Sequence, residues 1–198
     1  MKSLLLLPCA LALLSFSTPS VGESSRPLAE HDWIVDTVHS SVAFRVKHAG
    51  ASWFKGTFDV ITGSITLDPS KPEAGSVQLT IPVASVDTND KARDDHLKGP
   101  DFFNSKENPD ITFKSTKVAK KGDMLEVAGD LSLNGKTKST VLEVEYIGAG
   151  EMRGKRVGYS TKFTIKRSDF GMTYGVKDGG VGDEVTLMID LELIQPKK

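Results

Sequence analysis

The sequence predicts an all-β fold, an antiparallel sheet rolled into a closed barrel with one short helix and one long Gly-rich loop. Three observations carry this. Between Trp33 and Leu193 apolar residues alternate with Ser, Thr, Lys, Asp or Glu in run after run, the period of a strand with one face turned to a core. The runs number about eight or nine, which is near the count that closes a small barrel. Turn residues separate them, most clearly Asn134-Gly135, a pair suited to the positive φ angles of a tight hairpin.

Taken in order, the chain opens with a sorting segment. Lys2 precedes an apolar stretch from Leu4 to Leu14, broken by Pro8, and the small residues Ser20-Val21-Gly22 precede Glu23. This is the pattern of a cleavable export signal over residues 1–22, too short for a membrane span. Cys9 lies inside the apolar stretch rather than just after it, which argues against lipid attachment. Cleavage would remove the only cysteine, so an exported chain would hold its fold by core and sheet, without disulfides. Residues 23–31 show no periodicity and read as a flexible lead-in. Residues 32–198 read as one domain, with no integral membrane segment in the mature chain.

Within that domain the first strands are Trp33 to Asp36 and the run Val42, Phe44, Val46, followed by Gly56 to Leu67. In the last of these, Phe58 and Val60 hold even parity while Ile65 and Leu67 hold odd, and a bulge near Gly63 would reconcile them. Val77, Leu79, Ile81 and Val83 form the next run. Thr88 to Leu97 breaks the alternation and opens with Thr-Asn-Asp, a helix start. Strands follow at Ile111 to Val118, Leu125 to Leu133, Thr140 to Tyr146, Val157 to Arg167 and Val185 to Leu193. Ser168 to Asp183 is Gly-rich without a strand pattern, a loop of the length that forms lids or mouths.

Composition narrows the function. A net charge of −1 and an isoelectric point near 6.4 argue against nucleic acid as a partner. Gly135-Lys136-Thr137 imitates the end of a phosphate-binding loop, but Asp130 stands where its first glycine belongs and a strand follows. There is no G-x-S-x-G nucleophile elbow. His31, His39, His48 and His96 are scattered, with no H-E-x-x-H pair, so no metal is expected. Arg93, Asp94, Asp95 and His96 admit two readings. They could form an acid/base cluster acting on a lipid head group, or a capped, ion-paired helix end that fixes a loop to the barrel rim. Consecutive helical residues point in different directions, which favours the structural reading.

The inward parity also admits two readings. A barrel of this strand number either fills itself with side chains or holds one ligand. A filled barrel would serve as a protein-interaction module.

Several blocks then narrow the choice: Asp36-Thr37-Val38-His39-Ser40 with Phe44 and His48, Gly56-Thr57-Phe58, Arg93-Asp94-Asp95-His96-Leu97, Asp101-Phe102-Phe103, and Pro109-Asp110-Ile111-Thr112-Phe113. Gly129-Asp130-Leu131 through Lys138 and Arg167-Ser168-Asp169-Phe170-Gly171-Met172 follow in the same order. From about Trp33 to the last strand the chain resembles the YceI-like family of exported lipid-binding proteins. The resemblance implies an eight-stranded antiparallel lipocalin-like barrel around an apolar pocket for a polyisoprenoid, an isoprenoid quinone or another long-chain amphiphile. The expectation is a periplasmic, non-enzymatic binding protein without a cofactor, and the near balance between an apolar cavity and a bilayer suits a carrier or buffer. Pairing with a second copy is left open. The expected pocket lining is Phe44, Phe58, Leu79, Ile81, Phe113, Leu131, Leu142, Val144, Phe163, Ile165 and Ile189. His39 and His48 are expected at the mouth as polar contacts for a head group.

Overall fold

A computed structural model describes residues 30–196. The signal segment 1–22 and all but the last two residues of the lead-in 23–31 lie outside the described residues. Eleven strands form one sheet that closes on itself. They make eight staves, because three staves are each bent into two strands. The first is β1 (Asp32–Val35) with β2 (Ser41–His48), the second β3 (Ser52–Phe58) with β4 (Thr62–Thr66), and the third β5 (Ser76–Pro82) with β6 (Val86–Asp87). The remaining five are unbroken: β7 (Asp110–Lys121), β8 (Met124–Leu133), β9 (Lys136–Glu151), β10 (Lys155–Lys166) and β11 (Val181–Ile194). Each stave pairs antiparallel with the next in sequence, and β11 returns to the first. Its upper part runs along β2, from Val181 opposite His48 to Asp190 opposite Ser41, and its last residues run along β1. The result is an up-and-down barrel.

The bends have local causes. Between β1 and β2, the Asp36 carboxylate accepts the Val38 amide at 3.1 Å and lies 3.0 Å from His39 Nδ1, which folds the chain into a side-chain-capped turn. Between β3 and β4, the parity changes at Asp59 to Ile61: Phe58 is buried on one side of the break, and Ile61, Ile65 and Leu67 on the other. The register shift expected near Gly63 therefore sits earlier. Gly63 itself lies in regular ladder opposite Leu79, while the Asp59 amide donates to Ser85 O at 2.9 Å, outside the ladder.

The one helix, α1 (Lys91–Leu97), starts at Asp90, whose side chain accepts the Arg93 amide, an N-cap of the preferred type. Asn134 and Gly135 both take positive φ, 49° and 70°, as the hairpin between β8 and β9 requires. The long loop begins as a 3-10 turn at Arg167–Phe170, which ends on Gly171 in the left-handed region. The turn between β2 and β3, α1 and this loop lie together at one end of the barrel, hereafter the upper end. No helix among the described residues is long and apolar enough to cross a membrane.

One seam is closed along only part of its length. β9 and β10 pair from Glu151–Lys155 to Val144–Thr161, with a bulge at Gly158/Tyr159, and the ladder stops there. Above it β9 continues against β8 alone. The strand expected to begin at Thr140 therefore begins at Lys136.

Candidate functional site

Inward parity and burial disagree along several strands, and the disagreement locates the site. Val77 and Leu79 on β5, Phe163 and Ile165 on β10, and Val185, Leu187 and Leu191 on β11 face the barrel axis yet are only half-buried. Side chains that point inward and still meet open space border a cavity. Two chambers follow the axis. The upper one has a volume of about 520 Å³ and the lower one about 90 Å³. Phe58, Ile111, Leu131 and Leu187 border both, so the chambers meet at a waist formed by these four side chains. The combined space lies within the range that takes one small amphiphile.

The residues proposed from sequence fall along this axis. Phe44 and Ile165 border the upper chamber. Phe58 and Leu131 stand at the waist. Leu79, Ile81, Phe113, Leu142, Val144, Phe163 and Ile189 border the lower chamber. The lower chamber is almost wholly apolar, its hydroxyls coming from Thr112, Tyr159, Ser160 and Thr161. Polar groups gather at the upper end, where His48, Ser52, Arg93, His96, Arg167 and Tyr174 join the lining. No Asp or Glu borders either chamber.

His48 ends β2 at the upper mouth. His39 does not join it. It stands in the turn after β1, on the outside of the barrel, because Asp36 holds its ring there and Glu192 lies 3.9 Å away. Asp36, His39 and Glu192 bring three potential ligand atoms within 4.8 Å of one another. The Arg156 guanidinium already bridges both carboxylates, at 2.7 Å to Asp36 and in still closer contact with Glu192. That contact, with help from His39, holds the Asp36 carboxyl down at about 2.

The cluster on α1 resolves into four separate tasks. Asp94 accepts the Thr88 amide at 2.9 Å and its hydroxyl. Arg93 donates to Thr88 Oγ1 and O at 2.9 and 2.6 Å and lies over the Phe54 ring. Asp95 pairs with Lys91 one turn back. His96 Nε2 is 2.9 Å from Asp101. Asp94 and His96 thus serve different partners and form no acid/base pair. The helix is tied to the rim, and its His96 ring meets Phe102 and Tyr174 edge-on at 5.1 and 5.0 Å, forming an aromatic cover between α1 and the long loop. Below this cover, Phe103 meets Phe58 at 5.6 Å.

Arg167 lies in a block that carries the family resemblance, and motif-reading assigns it no role at the site. It is 3% exposed, and its guanidinium donates to four carbonyls, those of Met172, Tyr174, Val181 and Gly182, at 2.7 to 2.9 Å. One side chain thereby ties both ends of the loop that roofs the upper chamber. Burial lowers its pKa from the ordinary value, yet an arginine keeps its charge. The signal was present in the sequence: Phe163, Ile165 and Arg167 share one parity, and a charge that continues an apolar stripe must be met by hydrogen bonds inside.

Comparison with known proteins agrees with this architecture. The BcnA protein of Burkholderia cenocepacia superposes with a TM-score of 0.74 at 32% identity, covering 80% of this chain and 98% of that one. A polyisoprenoid-binding domain of Saccharophagus degradans, implicated in plant cell wall breakdown, superposes with a TM-score of 0.64 over 83% of this chain and 98% of that one. At 19% identity that is a likeness of fold. Protein YceI of Escherichia coli O157:H7 is 40% identical over 186 residues, covering 93% of this chain and 96% of that protein. The family model described as the YceI-like domain matches residues 33–193, and with the barrel, its bent staves and its axial cavity in place, the chain belongs to the YceI-like family.

Proposed function

We propose that this chain is an exported, periplasmic binding protein that holds a polyisoprenoid or quinone-like amphiphile along the barrel axis, as a carrier or buffer and without catalysing a reaction. The observation that carries this reading is the two-chambered cavity, lined mostly by apolar side chains and free of carboxylates, with its imidazole and guanidinium groups all at the upper end. An alkyl or isoprenoid tail moved there from water gains about 0.8 kcal/mol per buried CH₂, so ten methylenes supply roughly 8 kcal/mol before ordering costs. Water cannot compete with that, whereas the acyl region of a bilayer can. Exchange between barrel and membrane is then nearly balanced, which suits a carrier better than a permanent sink.

The polarity of the cavity sets the ligand's direction. The tail lies through the waist, with Leu131, Phe113 and Leu142 around it, and the head sits among His48, Ser52 and the edge of the aromatic cover. Native mass spectrometry of the protein purified from its envelope fraction, followed by solvent extraction, tests the reading. One long-chain amphiphile per barrel is the expected result. An empty barrel that also fails to load an added isoprenoid alcohol would overturn it. N-terminal sequencing checks export: a chain beginning at or near Glu23 is expected, and retention of Met1 in a membrane fraction would refute it.

A further inference from the structure

The hairpin bordering the cavity mouth carries a surface that the apolar chambers do not explain. Residues 41–58, covering β2, its turn and β3, contain Arg45, Lys47, His48 and Lys55 but no Asp or Glu. His48 shares the inward parity of Val42, Phe44 and Val46, whereas Arg45, Lys47 and Lys55 alternate with the buried positions and face outward. Among the described residues none of these three cations has a carboxylate within ion-pair distance. Of the acids elsewhere around the mouth, Asp95 pairs with Lys91 and Asp101 with His96, while Asp94, Asp183 and Asp178 accept hydrogen bonds from Thr88, Ser168 and the Gly180 amide. Glu184 stands across the ladder from Lys166.

Trp53 lies in the middle of this cationic face. It pairs with Lys47 across the hairpin, borders the upper chamber and is 48% exposed. The Arg45 guanidinium lies 4.4 Å from its ring centroid and the Lys47 ammonium 5.6 Å. Tyr174, 49% exposed, presents a second amphipathic ring from the loop that roofs the same chamber. Exposed indole and phenol rings beside unneutralised cations suit the headgroup zone of an anionic bilayer, where the ring seats at the interface and the cations meet phosphates. The mouth of an apolar cavity opens at the same place.

We propose that the β2–β3 hairpin docks the cavity mouth onto an anionic lipid bilayer, with Trp53 seated among the head groups and Arg45, Lys47 and Lys55 against the phosphates. A tail then passes between bilayer and upper chamber without crossing water. This rests on the cavity holding a lipid, as set out above.

Tryptophan emission tests it directly, since the chain has two tryptophans and the other, Trp33, packs half-buried against the core. In Trp33→Phe protein, vesicles of phosphatidylcholine with phosphatidylglycerol should shift Trp53 emission to the blue, and brominated acyl chains should quench it. Vesicles of phosphatidylcholine alone should do neither. If Trp33→Phe weakens the fold, the difference between wild type and Trp53→Phe reports the same signal. Lys47→Gln with Lys55→Gln should weaken partition roughly thirtyfold, at about fivefold per charge. Emission indifferent to both vesicle types, or equal binding to both, overturns the proposal. Loading from a cyclodextrin-solubilised isoprenoid alcohol reads the cavity independently. A barrel that loads but ignores vesicles refutes docking alone, whereas one that docks but never loads refutes the cavity reading and leaves the docking surface standing.

Discussion

Leu187→Lys separates a ligand space from an ordinary core, because the two assign the same penalty to different measurements. Leu187 stands between Phe44 and Phe163 in the ladders of β11 and borders both chambers at the waist. With no Asp or Glu lining either chamber, a new ammonium would have no counter-ion there. In the open barrel, water in the chamber of about 520 Å³ can solvate it. Folding then loses only the burial of a half-buried leucine, about 1 to 2 kcal/mol. Seating an alkyl chain expels that water. A desolvated lysine titrates about 3 units low, at about 1.4 kcal/mol per unit, so binding loses roughly 4 kcal/mol, close to a thousandfold in Kd. In a filled core the whole sum, about 5 to 6 kcal/mol, would fall on folding, enough to consume the stability of a marginal domain. Urea midpoints and the Kd of a fluorescent isoprenoid alcohol, measured on the same protein, distinguish the two. Ser64→Lys, on the exposed outward parity of β4, should change neither. A large loss of stability in Leu187→Lys with unchanged loading would refute the reasoning.

Further outcomes follow from individual contacts. Arg156 and His39 hold the Asp36 carboxyl at about 2, below the usual value near 3.9. Its ion pair therefore stabilises the fold above about pH 4 and is lost as pH falls towards about 2. Asp36→Asn should cost about 1 kcal/mol at neutral pH after allowance for solvent screening, and nothing near pH 2 by urea titration. Arg167→Lys cannot reach all four carbonyls, so the variant should lose about 2 to 4 kcal/mol and become open to trypsin at Lys177, which limited proteolysis will show. Asp94→Ala should lower stability by about 1 to 2 kcal/mol and leave lipid per folded molecule unchanged. A variant with full stability and lost turnover of a lipid substrate would favour the enzymatic alternative.

Most of the fold was legible because alternation is a direct imprint of a two-faced sheet. It named Val77, Leu79 and Ile81 on β5, Leu125 to Leu133 on β8 and Val185 to Leu193 on β11, but it left Val181, which begins β11 and borders the upper chamber, in the Gly-rich loop. It failed where a strand's neighbour, not its own pattern, decides its length. Lys136, Thr137, Lys138 and Ser139 carry no apolar residue, yet they are strand because β8 pairs with them. Lys138 takes inward parity opposite Leu131 and still remains exposed, beyond the point where the β9–β10 ladder stops. His39 and His48 looked equivalent in one dimension. A turn capped by Asp36 turns the first outward, whereas the pleat of β2 carries the second to the mouth.

Whether the barrel is hollow depends on residues that alternation treats as blanks. Gly56 stands at inward parity opposite Phe44, and a Cβ built there would fall 2.5 Å from Phe44 Cζ. Gly129 is likewise inward, and its Cβ would fall 2.5 Å from Phe113 Cζ. In both cases the tip of an aromatic ring occupies the space above a neighbouring strand's glycine. A side chain at either position would push the ring inward, into space that is now open. Glycine in a strand costs stability, and here that cost keeps two of the largest inward side chains against the wall. The apolar stripe thus identifies the inner face, but the glycines beneath Phe44 and Phe113 help keep that face the lining of a cavity and not the filling of a core.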